Sequence, residues 1–106
     1  AEANEMSQLT HQLLEEHNLQ IDFELQKYLG DILSDSLENE EFIILMEALL
    51  EKYQLKGMLF SLVRVYDEVG QNDKALSMVK EWLVKNPIDE DLKMLHEYLI
   101  EMNSYQ

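Results

Sequence analysis

The chain contains no cysteine. Disulfides and thiolate-bound metals are therefore excluded. It has one proline and three glycines in 106 residues. The three glycines (Gly30, Gly57 and Gly70) stand alone, so no glycine-rich phosphate loop is present. Only 8 residues are Lys or Arg against 22 Asp or Glu, a formal net charge of −14. Such a surface repels a phosphate backbone and an anionic bilayer, so no nucleic acid and no direct membrane contact are expected. The longest apolar run, Phe42–Leu50, is interrupted by Glu47. It is far short of the roughly 20 residues that a membrane span needs.

What is abundant is Leu, Glu, Met, Gln and Lys, with 46% hydrophobic residues overall. These are helix formers, and the apolar fraction is enough to drive folding of one small all-α domain. No segment alternates with period two, so no strand is expected. The acidity suits a basic partner, although solubility alone would also account for it. No signal peptide is visible; the location stays open, with a cytoplasmic one slightly favoured. The chain starts at Ala1 rather than Met, which fits a mature form or an excised domain; a removed leader or anchor would leave no trace.

Residues 1–8 are polar and are expected to fray. A first helix follows from Leu9, Leu13 and Leu14 to about His17. A second, capped by Asp22, carries Leu25, Tyr28, Leu29, Ile32 and Leu33 at helical spacing, with Gly30 inside it as a point of close helix contact. Asp35 or Ser36 is the expected cap of the third helix, from about Leu37 to Tyr53, with Glu38 or Asn39 three residues on. Its Phe42–Leu50 stretch is apolar nearly all round, the pattern of a central helix. A poorly covered helix of this kind would serve instead as a dimerisation surface, so a homodimer stays open.

The fourth helix shows Leu59, Leu62, Val63, Tyr66 and Val69 on one face and ends at Gly70, placed as a left-handed stop residue. Asn72 or Asp73 caps the fifth, with Ala75, Leu76, Val79, Trp82 and Leu83 apolar, and Asn86-Pro87 stops it. Asp89 caps the sixth, with Leu92, Leu95, Leu99 and Met102. Residues 103–106 are expected to fray. The sum is about six helices joined by short turns, hence antiparallel neighbours.

Leu59, Leu62, Val63, Tyr66, Gly70, Ala75, Val79, Trp82 and Pro87 occur in an order that resembles the tetratricopeptide repeat, a helix–turn–helix unit of about 34 residues. Val63 is larger than the usual small residue, and Trp82 replaces a typical alanine. The best match spans residues 57–87. Upstream, Leu25, Tyr28, Leu29, Ile32, Leu45 and Ala48 give a fainter echo, with Ser36, Glu41 and Tyr53 at the glycine, small-residue and proline positions. Both a degenerate repeat and a plain helical hairpin fit it. The resemblance implies a single helical-repeat domain over residues 9–102, closed by a capping helix at 89–102.

The same resemblance implies a scaffold or adaptor that holds a peptide or helix of a partner protein in a concave groove lined by the first helix of each repeat. The off-core residues are then Phe60, Arg64 and Asp67 on the fourth helix and Met94 and Tyr98 on the sixth. Stacking of these two helices would join Phe60, Arg64, Met94 and Tyr98 in one patch of interface-favoured types. The simpler alternative makes Phe60 and Met94 core residues and pairs Arg64 with Asp67 or Glu68. The Lys and Asn set of a chaperone-tail clamp is absent from this face. Two further classes fit the composition: a structural or self-associating helical domain, and an acidic inhibitor that occupies a basic site.

No catalytic, cofactor or metal signature is present. His11 and His17 do not share a helix face, and His96-Glu97 lacks the second histidine of a zinc-protease helix. The acidic run 35–41 has no glycine turn for a calcium loop. No serine sits in a nucleophile elbow. The chain is not expected to be an enzyme.

Overall fold

The computed structural model describes Gln8 and residues 23–104. The described residues are all-α, with five helices and no strand: α1 (Phe23–Ser36), α2 (Asn39–Lys52), α3 (Lys56–Glu68), α4 (Asn72–Lys85) and α5 (Glu90–Ser104). They correspond to the second to sixth helices expected from the sequence. The first expected helix, its two histidines and the Asp22 cap lie outside the described residues. The chain divides into two compact units, Ala1–Val65 and Tyr66–Gln106.

In the first unit α1 packs on α2. The core is built from Leu33, Leu37, Phe42, Met46, Leu49, Leu59 and Leu62, all essentially buried. The helix enclosed on nearly every side is α3, not α2 as the apolar run suggested. Between Gly57 and Tyr66 only Arg64 is exposed. That stretch holds a single charge, so little opposes its burial. α2 instead buries one face (Phe42, Leu45, Met46, Leu49 and Leu50). Its other face carries Glu40, Glu41, Glu47 and Glu51 around Ile44, which is 69% exposed. Charges at three- and four-residue steps mark a solvent face even when the average hydrophobicity is high.

Two further expectations change. Leu25, Tyr28 and Ile32 of α1 are exposed, Tyr28 at 63%. The buried edge of α1 runs instead through Gly30 and Leu33, continued by Leu37 after the helix ends. α1 also continues through Asp35 and Ser36 rather than stopping before them. The Leu37 amide donates to Leu33 O at 3.0 Å, extending the helical bonding. Glu38 becomes the N-cap of α2, with no side-chain cap bond.

The second unit holds the end of α3 together with α4 and α5, which pack on each other. Gly70 has φ +75°. Its amide donates to Asp67 O at 3.1 Å, and the Gln71 amide donates to Tyr66 O at 2.7 Å. This pair of bonds is the Schellman ending, which satisfies carbonyls the helix would otherwise leave open. The register then begins one residue early: Gln71 is the N-cap of α4 and makes no side-chain cap bond. Asn72, expected as a cap, is instead buried, and its Oδ1 has no hydrogen-bond partner among the described residues.

Ala75, Val79 and Trp82 form the buried edge of α4. Trp82 is core, in keeping with its bulk. Asn86 closes α4, its amide donating to Trp82 O at 2.9 Å and its side-chain Nδ2 to the same oxygen at 3.0 Å. Asp89 caps α5: its Oδ1 accepts from the Leu92 amide at 3.1 Å. Leu92 and Leu99 are fully buried. α5 runs two residues past the expected fray point, through Asn103 and Ser104; the Ser104 hydroxyl donates to Glu101 O at 2.7 Å.

Candidate functional site

The first unit brings α1 and α3 together so closely that glycine is needed on both. A Cβ at Gly30 would meet the Ser61 side chain, 2.7 Å from its Cβ. A Cβ at Gly57 would lie 2.5 Å from Phe23 O and from Gln26 Cβ. The reward for close approach is a bond between helices: the Gly57 amide donates to Gln26 Oε1 at 2.7 Å. That amide is one of the donors every helix start leaves open, and no local side chain caps it.

The paired residues rise together along both helices: Gln26 with Gly57, Asp31 with Ser61, Ser34 with Arg64. α1 and α3 therefore run parallel. Their hydrogen-bonded partners are 30 to 34 residues apart in the chain.

Where the two helices meet, an open cavity of about 200 Å³ is lined by Lys27 and Asp31 of α1 and by Phe60, Ser61 and Arg64 of α3. Arg64 Nη2 donates to Asp31 Oδ1 at 3.1 Å and to Ser34 Oγ at 2.7 Å. Ser34 Oγ itself donates to Asp31 O at 2.9 Å. The Ser61 hydroxyl donates to Asp31 Oδ1 at 3.3 Å and lies 3.5 Å from Lys27 O. This network holds the guanidinium against α1. Both members of the ion pair are about half exposed, so it fixes geometry more than it adds stability.

An aromatic pair stands beside the network. The Phe60 ring meets the Phe23 ring edge to face, with centroids 5.3 Å apart. Lys27 Nζ and Lys56 Nζ lie 5.3 and 5.2 Å from the Phe23 centroid. Each such contact is worth about 0.5–1 kcal/mol at an exposed site. Three of the eight basic residues of the chain, Lys27, Lys56 and Arg64, thus gather on one face of an acidic protein.

Of the residues singled out from sequence, Phe60 and Arg64 come together here. Phe60 is half-buried, and Arg64 pairs with Asp31 rather than with Asp67 or Glu68. Asp67 is half-buried at the end of α3 in the second unit. Met94 and Tyr98 lie on α5 of the second unit, 67% and 48% exposed, so Met94 is not core. Lys27, Asp31 and Phe23 were not foreseen. The available signal was the set of small residues Gly30, Gly57 and Ser61, which marks where two helices can touch.

Among the described residues no three His, Asp or Glu side chains gather as metal ligands, and no helix is long and apolar enough to cross a membrane. Comparisons with protein-family models, curated proteins and solved structures found no match. The arrangement offers a ligand hydrogen-bond donors and an aromatic wall, held in place by contacts between two helices.

Proposed function

We propose that the chain is a protein-interaction module of the scaffold or adaptor kind. It holds a peptide or helix of a partner protein on the face where α1 and α3 lie side by side. The observation that carries this reading is their parallel register at 30 to 34 residues. An array of helix pairs stacks its first helices in that way, with a period near about 34 residues in the tetratricopeptide type. On this proposal α1–α2 and α3–α4 are successive antiparallel hairpins of a tetratricopeptide-like array and α5 is the capping helix. Phe60 and Arg64 are contact residues of the first unit, and Met94 and Tyr98, on α5, are contact residues of the second. Self-association through α2 is less favoured, because two copies of its open face would set glutamates against glutamates.

A photo-crosslinking amino acid placed at Phe60 and, separately, at Ile44 tests this reading in cells. A discrete adduct with one partner from position 60 and none from position 44 is expected. Equal capture from both positions, or capture from Ile44 alone, overturns it. Circular dichroism of both variants verifies that the helices are intact.

A further inference from the structure

We infer that the α1/α3 cavity recognises a carboxylate side chain, an Asp or Glu, presented by the partner segment next to an apolar residue. This inference rests on the interaction reading above and specifies its chemistry.

The decisive observation is which hydrogen-bonding groups in the cavity are already used. Among the described residues Asp31 is the only carboxylate lining it, and its Oδ1 accepts from both Arg64 and Ser61. The donors are not used up. Arg64 spends only Nη2 on Asp31 and Ser34, and its Nε and Nη1 make no hydrogen bond to the described residues. Those two nitrogens lie on either side of Cδ, and each can give a single charge-assisted hydrogen bond to a carboxylate oxygen. Lys27 Nζ faces the Phe23 ring and has no carboxylate partner among the described residues. An incoming ammonium would meet one carboxylate, whose Oδ1 already accepts two hydrogen bonds, with two cations beside it. A carboxylate would find open donors.

Size and lining agree. A cavity of about 200 Å³ takes one side chain rather than a larger ligand. The half-buried Phe60 ring gives a neighbouring Leu or Met a surface to cover.

The net charge of −14 points the other way, toward a basic partner. The two effects act over different ranges. Charges farther away than the Debye length, about 8 Å at physiological ionic strength, are largely screened. At contact the groups lining the cavity decide, and they sum to one positive charge: Lys27 and Arg64 against Asp31. The acidic surface slows the approach of an acidic segment, and the cavity holds it once seated.

The test uses the full chain, labelled with nitrogen-15, and four short acetylated peptides. Three are amidated at the C-terminus: Ala-Leu-Glu-Leu-Ala and its Gln and Lys counterparts. The fourth is the Gln peptide with a free C-terminus. Amide shifts at residues 26–34 and 57–64 are followed during titration. The Glu peptide is expected to shift these amides and to bind about tenfold or more tighter than the Gln peptide. Lys27→Met and Arg64→Met should each remove most of that difference. Lys27→Met breaks no hydrogen bond in the fold, so its result does not depend on the Arg64 network.

Equal binding of Glu and Gln peptides on these amides overturns the carboxylate inference and leaves the interaction face standing. Tighter binding of the Lys peptide overturns it in favour of a basic segment. Tighter binding of the free-terminus Gln peptide overturns it in favour of a chain end. If no peptide shifts these amides, both the inference and the proposed face fail.

Discussion

Replacing Gly57 by alanine sets two opposing effects against each other. In a helix, Ala is favoured over Gly by up to about 1 kcal/mol. Propensity alone therefore makes Gly57→Ala a stabilising change. Packing makes it the reverse. The new Cβ would lie 2.5 Å from Phe23 O and Gln26 Cβ and 2.9 Å from Lys27 N. Two of these three atoms belong to the backbone of α1, so no rotamer change relieves the overlap. Unstrained contacts of this kind sit near about 3.5–4.0 Å, so α1 must retreat by roughly 1 Å.

That retreat stretches the 2.7 Å bond from the Gly57 amide to Gln26 and leaves a part-buried donor open. Overpacking costs about 1–3 kcal/mol and the lost bond about 1 kcal/mol. After subtracting the propensity gain, Gly57→Ala should destabilise by about 1–3 kcal/mol. At about 4–8 °C per kcal/mol for a small domain, the melting temperature should fall by at least several degrees.

Thermal unfolding followed by circular dichroism reads this directly. Gly70→Ala is the internal control. Nothing lies within 4 Å of a Cβ there, but φ is +75°, so its cost of about 1–2 kcal/mol is conformational. Asparagine tolerates that backbone region and should recover part of the loss at position 70, but none at 57. A Gly57→Ala protein that melts at or above the parent temperature refutes the close approach of α1 and α3.

Gly30→Ala should destabilise in the same assay, and Ser61→Gly placed beside it should restore part of the loss, with a coupling of about 0.5–3 kcal/mol in a double-mutant cycle. Asp89→Ala removes the cap bond to the Leu92 amide and should cost about 1 kcal/mol by chemical denaturation. On α2 the two faces should differ: Phe42→Ala, at a fully buried site, should cost about 3–5 kcal/mol. Ile44→Ala, on the open face, should stay within about 0.5 kcal/mol. Similar losses at 42 and 44 would mean that α2 is buried all round.

Three helix boundaries of the second unit are legible because their chemistry is local. Gly70 stops a helix by its own backbone freedom, Asn86-Pro87 by sterics, and Asp89 by reaching its own helix start. None depends on what else the chain does. The choice of the buried helix was harder. Phe42–Leu50 drew attention as a run, yet the glutamates around it recur at helical spacing and define a solvent face. α3 has fewer consecutive large apolar residues, but between Gly57 and Tyr66 it carries a single charge.

The buried face of α1 is hidden from the sequence pattern for a related reason. Leu25, Tyr28 and Ile32 look like a core stripe, whereas the edge that packs contains Gln26 and Gly30. Close helix contact selects small or hydrogen-bonding residues, and these count as polar in a hydrophobic pattern. Half of the candidate site was visible for the same reason that half was not. Phe60 and Arg64 stood out as off-core residues of α3. Lys27 and Asp31 join them through a pairing about 30 residues away, and only the tertiary structure contains it.

The start of α3 is capped from a distance. A helix finished by its own neighbours can form whenever its local sequence permits. α3 has Leu55 where a capping side chain would stand, and Gln26 of α1 supplies what is missing. The Gly57 amide is therefore a natural reporter. Its hydrogen exchange measures how often α1 lifts away, separately from the opening of α3 itself, which the interior amides of that helix record. Any ligand that seats between α1 and α3 should slow exchange at this one amide before it changes the rest of the helix.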